Sequence, residues 1–421
     1  MSRQTFVASL LTAAMFLSLP VAAKAESAAP PATEKVEILP ITFSANGMSG
    51  AGGERLRGEL KDAQFIAVGE DHGLAGSPQL TLAIAHDAEA IDDSPLYHAA
   101  EVGPHTANWV SAHLKSGGVD ALGAALATQP WAIPFLTNAE DAALAAPFAN
   151  ENRLWGIDQE FLGATSILLD VLSARTRDKA VRKRLADWRD RDRAALADGN
   201  FGGIMLMTTA TAEDFAALQR HFADDREARA IVDALTDSAD IYHLNLAGKH
   251  LQNNEERALL MREYFLTAYR SVPAPAPRVL LKMGANHLGR GTTPTAIYDL
   301  GSLLPGLAAA NGQKSLHIAY IPMAGSVLQI APSPKGFTQI SAYEDTNIGP
   351  ILDAAGIARE MIPATGHALI PVAALRHQLA GQKLQALPEF ARFLLLGFDY
   401  LVTTRDAKPA TNFETLAKRP S

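Results

Sequence analysis

No cysteine occurs anywhere in the 421 residues. That excludes disulfides, a lipid-modified cysteine and a thiol nucleophile. Other signatures of common chemistries are missing too. There is no H-E-x-x-H, no G-x-S-x-G nucleophile elbow, no P-loop and no good G-x-G-x-x-G after a strand, so zincin-type, serine-triad and nucleotide-binding sites are disfavoured. Positive charge is not in excess either. The 37 Lys and Arg stand against 45 Asp and Glu, a formal charge of −8, which argues against nucleic acid or an anionic membrane surface as partner.

What is present is the composition of a globular protein, 48% hydrophobic and 19% charged. The opening MSRQTFVASLLTAAMFLSLPVAAKA places Arg3 before an apolar stretch too short for a spanning helix. It ends on Ala23-Lys24-Ala25, the pattern of a cleaved signal peptide over residues 1–25. Its removal takes away Arg3 and Lys24 and brings the charge from −8 to −10. An exported chain without cysteine fits the bacterial periplasm or the medium, with no stable membrane insertion after cleavage. Residues 26–36 form a polar, proline-rich lead-in, expected to be disordered. Residues 37–421 are expected to form one domain.

From residue 64 short apolar runs alternate with helical stretches: QFIAVG, PLYHAAEV, RLWGID, RVLLKMG, SLHIAYIPM and GFDYLVTT, with ILPITF as an earlier strand. Near-continuous apolar runs separated by helices imply an α/β fold, a mostly parallel central sheet flanked by helices. Residues 161–275 interrupt the alternation and are expected to be a large helical insertion. Within it, His243 and His250 are seven apart in what reads as one helix and could share a face.

Four of the apolar runs end in titratable side chains. AVG ends in Glu70, Asp71 and His72; YHAA in Glu101; LWGI in Asp158, Gln159 and Glu160; LLKMGAN in His287. In an open parallel sheet ligands bind beyond the carboxyl ends of the strands, so all four clusters are expected to face one crevice. Asp71 and Asp158 could equally cap the helices that follow. His86, His113, His221, His317, His367 and His377 are expected to be packed or surface residues. A constellation of histidines and carboxylates suits the activation of water, by a general base or by a metal ion.

G-E-D-H-G at 69–73 resembles the G-E-x-x-H-G motif of the erythromycin esterase-like proteins. AAEVGP, with Glu101, WGIDQE, ERALLMREYF, with Arg257 and Met261, and GANHLGRG, with His287, resemble their later motifs in the same order. The two G-x-x-H pairs are also similar to the TraB/Tiki metalloproteases, and the ChaN proteins have a related fold. The resemblance implies a hydrolase of an ester, lactone or amide, acting on a small molecule. In it His72 would serve as base, Glu70 or Glu101 would orient it, and His287 would bind the second oxygen or stabilise the developing oxyanion. Arg257 and Lys282 would hold an anionic group near Asp158 and Glu160, unless Arg257 is a structural partner of those acids. A Tiki-like site would hold a divalent metal on His72, Glu101 and His287, and a ChaN-like protein would bind haem without being an enzyme.

Overall fold

The computed structural model describes residues 35–414 except 93, 128, 199–204, 334 and 335. The segment read as a signal peptide and nearly all of the lead-in lie outside the described residues. In chain order the strands are β1 (Leu39–Ser44), β2 (Gly47–Ser49), β3 (Ala63–Glu70), β4 (Leu96–Ala100), β5 (Leu154–Gly156), β6 (Arg278–Gly284), β7 (Lys314–Tyr320), β8 (Ser326–Ser333), β9 (Gly336–Ala342), β10 (His367–Pro371) and β11 (Tyr400–Thr403).

Strands β3 and β6 are buried along their whole length, because apolar residues that alternate over both faces of a strand need cover on both. They pair in parallel, Phe65 opposite Val279 and Glu70 opposite Gly284. β4 lies parallel on the far side of β6 and β5 parallel on β4. β7 and then β11 continue the parallel array beyond β3. The full order is β2-β1-β10-β11-β7-β3-β6-β4-β5, with β8 and β9 forming a separate antiparallel hairpin. The fold is thus α/β with a mostly parallel central sheet. The runs that end at Glu70, Glu101, Asp158 and Gly284 are neighbours within it.

Successive side chains of a strand point to opposite faces. Phe65, Ala67, Val279, Leu281 and Met283 pack into the core on one face, and Ile66, Val68, Leu280, Leu316 and Ile318 into the core on the other. Two steps beyond Leu280 the same face carries Lys282, and two steps beyond Val68 it carries Glu70. The alternation that builds the core therefore delivers an ammonium and a carboxylate to one spot.

Between β5 and β6 the described residues form helices and turns and no strand. These helices have a core of their own, including Leu169, Leu185, Phe215, Ile231 and Leu235. Caps set their starts: Asp178 accepts from the amides of Ala180 and Val181, Asp225 accepts from that of Ala228, and Thr211 forms a capping box with Asp214. The expectation for His243 and His250 is corrected. One helix ends at Leu246 and the next starts at His250, because Gly248 adopts φ 72°, a left-handed turn that stops an α-helix. Among the described residues no helix is long and apolar enough to cross a membrane.

Candidate active site

Glu70 is the last residue of β3 and is buried. Lys282 Nζ donates to its Oε1 at 2.7 Å and to Asp141 Oδ1 at 2.7 Å. Burial alone would raise the Glu70 pKa. The Lys282 charge and His72 outweigh burial and hold the carboxyl down at about 2. An ionised carboxylate only accepts hydrogen bonds. His72 Nδ1, 2.9 Å from Glu70 Oε1, must therefore carry its proton and donate. That choice leaves Nε2 of His72 as the basic nitrogen.

Glu101 follows β4 and is likewise buried. Its Oε2 accepts from the Gly284 amide at 2.7 Å and lies 3.6 Å from His72 Nε2. Its Oε1 lies 3.3 Å from His287 Nε2 and accepts from Arg257 Nη2 at 3.2 Å. One carboxylate thus stands between two imidazoles. Against the cost of burial, His72, His287 and Arg257 hold it well below the usual carboxylate range. The approach depends on Gly284, where a Cβ would sit 2.9 Å from His72 Nε2.

The two imidazoles differ in charge. His287 also donates from Nδ1 to Asp299 Oδ2 at 2.8 Å. Burial and the Arg257 charge lower its pKa, but Glu101 and Asp299 prevail and push it up to about 10, so His287 is an imidazolium at neutral pH. Burial lowers the pKa of His72, and Glu101 and Glu70 raise it to a net upward shift. With 35% of its side chain exposed, water screens those partners, and His72 stays the more titratable of the two. Its ring stacks on Phe135, centroids 4.0 Å apart at 21°.

Arg257 reaches in from the helix His250–Ser271. Nε and Nη2 donate to the two oxygens of Asp158 at 2.9 and 2.5 Å. The guanidinium is therefore spent largely on Asp158 and Glu101, while its edge still lines the crevice. Lys282 is placed beneath the crevice, as a buried counter-ion, rather than on its surface. Glu160 is not in the crevice. Its Oε1 accepts from the His105 and Thr106 amides and its Oε2 from the Thr106 hydroxyl, capping the helix Pro104–Leu126. Burial raises its pKa to about 7 even against those bonds. Asp71 accepts from the Tyr343 hydroxyl and Asp158 pairs with Arg257, so neither caps a helix.

The crevice is a cavity of about 590 Å³ lined by Glu70, His72, Glu101, Arg257, Asn286 and His287 among others. A wider cavity of about 910 Å³ opens on the other side of His72 and Phe135, beneath the β8–β9 hairpin. The donor set does not fit a divalent metal. Lys282 and Arg257 already neutralise its acids, and among the described residues no group of three or more His, Asp or Glu is arranged to hold an ion. Sequence reasoning did not find Asp299, Asp141 or Phe135.

Comparison of the whole chain with solved structures then places the architecture. An erythromycin esterase variant in an open conformation superposes with a TM-score of 0.54 at 14% identity, covering 85% of this chain and 94% of that one. The chain has the erythromycin esterase-like fold. A succinoglycan biosynthesis protein (TM-score 0.54, 13% identity, 89% and 95% covered) and a protein from Bacillus cereus (0.51, 12%, 89% and 96%) share that fold. No protein-family model matches the sequence, and no curated protein matches it. The G-E-D-H-G and G-A-N-H segments thus sit, in this fold, at the ends of β3 and β6.

Proposed function

We propose that this chain is an exported, periplasmic or secreted, hydrolase of an ester, lactone or amide bond in a small molecule. The observation that carries the reading is one buried carboxylate, Glu101, set between two imidazoles, one half-exposed and one held charged at neutral pH. Water in the crevice gives a proton to His72 Nε2, and the hydroxide adds to the substrate carbonyl. Glu70 takes up the resulting imidazolium at Nδ1, which stabilises it through the transition state. The negative charge that develops on the carbonyl oxygen is stabilised by the positive charge of the His287 imidazolium, held in place by Asp299 and Glu101. When the tetrahedral intermediate collapses, His72 Nε2 returns the proton to the leaving oxygen or nitrogen.

The comparison with an erythromycin esterase supports a hydrolase, and the pairing of Arg257 and Lys282 with protein carboxylates favours neutral substrates over anionic ones. A panel of aryl esters, lactones and amides, assayed on the mature protein with and without a chelator, tests this. Turnover insensitive to chelation is expected. Turnover that vanishes on chelation and returns with a divalent metal would replace His72 as base by metal-bound water.

A further inference from the structure

Beside the crevice lies a third cavity, of about 230 Å³. Its walls are mostly apolar, from Val102, Ile133, Pro134, Phe135, Phe161 and the ring of Tyr242, with Thr106 and Asp158 among the polar remainder. It opens toward the catalytic groups at one end, where it shares Glu101, Phe135 and Arg257 with the crevice. One polar head lines it without being satisfied. Gln159 interacts through its amide with the Tyr242 hydroxyl, while its Oε1 is buried and has no protein partner.

A buried acceptor left unpaired is costly, of the order of a lost hydrogen bond or more, and native structures keep few such atoms. The Tyr242 hydroxyl also accepts from the Leu162 amide at 3.2 Å. The volume gives the scale of an occupant. A cavity of about 150 Å³ holds benzene, so this one holds a single six-membered ring with one or two further heavy atoms.

We propose that this cavity is a subsite for one of the two groups flanking the scissile carbonyl, and that the group it takes is a monocyclic aryl or similar compact apolar ring bearing a single hydroxyl or N–H. The ring packs between Phe135 and Phe161, and its donor satisfies Gln159 Oε1. The inference rests on the hydrolytic reading only for the word subsite; the binding chemistry stands without it. The wide cavity beneath the hairpin then receives the remainder of the substrate, with Phe135 as the partition between the two.

Binding can be read without turnover. The probes are p-cresol and toluene, alike in shape and different in one hydroxyl, titrated into the mature protein by calorimetry and by methyl NMR. Wild type is expected to bind p-cresol about tenfold more tightly than toluene, the scale of one net hydrogen bond, with the Ile133 methyl resonances shifting. Gln159→Leu is expected to remove that preference while leaving toluene binding in place. Equal affinity for both probes in wild type, or a preference that survives Gln159→Leu, overturns the proposal. Should Gln159→Leu fail to fold, the wild-type Ile133 shifts decide. Their presence with p-cresol supports the cavity as the site, and shifts only elsewhere, or none, overturn it. Wild type that shows the p-cresol preference and Ile133 shifts but turns over no ester, lactone or amide fails the hydrolytic assignment alone, and wild type that turns over such substrates without them fails this site alone.

Discussion

His72 and His287 are the same side chain set to different work by their neighbours. His72 keeps an exposed edge and a free Nε2, and His287 is locked between two carboxylates. Replacing His72 by Ala is therefore expected to lower turnover about 10² to 10⁴-fold. Glu70 still has Lys282 as a partner, so stability should change by less than about 2 kcal/mol. His86→Ala, on a half-exposed ring beside Asp87, serves as the control with little loss. Matched turnover in wild type and His72→Ala, with matched circular dichroism, would remove His72 from the mechanism. His287 makes a second, pH-dependent prediction. Its folded pKa of about 10 lies above the ordinary 6.5, so its pairing stabilises the fold fully below 6.5 and is lost as pH rises through about 10. In denaturant titrations wild type should exceed His287→Asn in stability at pH 7, and the gap should close above about pH 10. A gap that is constant with pH would show that the ring is neutral.

At the scale of elements, Arg257 adds a charged tie between the helix His250–Ser271 and the sheet to the packing of Met261 and Phe265 and the Gln64–Tyr269 hydrogen bond. Arg257 bridges Asp158, just past β5, and Glu101, just past β4. Truncation to Leu leaves both buried carboxylates without that cation, and breaking such a pair typically costs about 3 kcal/mol or more. Arg257→Leu should lose that much in chemical denaturation, and Arg257→Leu with Asp158→Asn should recover part of it. A loss below about 1 kcal/mol would mean that solvent replaces the guanidinium. This element was legible in the sequence, as were the strands at 63–70, 96–100, 154–156 and 278–284, because each is a short apolar run with polar residues at its end. β10 and the β8–β9 hairpin were not. β10 is five residues, ending in Pro371, and it enters the sheet antiparallel to both neighbours, a choice set by tertiary pairing. Asp299 and Asp141 escaped notice for another reason. Asp299 Oδ1 accepts from the Leu300 amide, and Asp141 sits in the first turn of the helix Ala139–Asn150. Each looks locally like an ordinary helix-start acid, and only the fold shows the second oxygen of one meeting His287 and the other meeting Lys282.

Across the whole molecule the site adds to stability as well as to chemistry. Glu70 titrates at about 2 when folded against 4.5 when free. Its pairing therefore stabilises the fold above pH 4.5, and that contribution disappears as pH falls through about 2. Glu160 has the opposite sign. Its pKa of about 7 lies above 4.5, so its effect favours folding below pH 4.5 and is lost as pH rises through about 7. Relative to wild type, Glu70→Gln should be less stable at pH 7 and should draw level near pH 2, followed by the unfolding midpoint in urea. A deficit that persists at pH 2 would assign the loss to packing rather than charge. The sheet that carries this site also ends in a particular way. Its outermost strands, β2 and β5, are three residues each, while the seven-residue and eight-residue strands β6, β7 and β3 lie inside. A short rim offers an incoming chain few open amides and carbonyls to zip onto. At the two rims of the central sheet an incoming chain thus finds no strand long enough to extend, and the long, apolar segments stay at its centre.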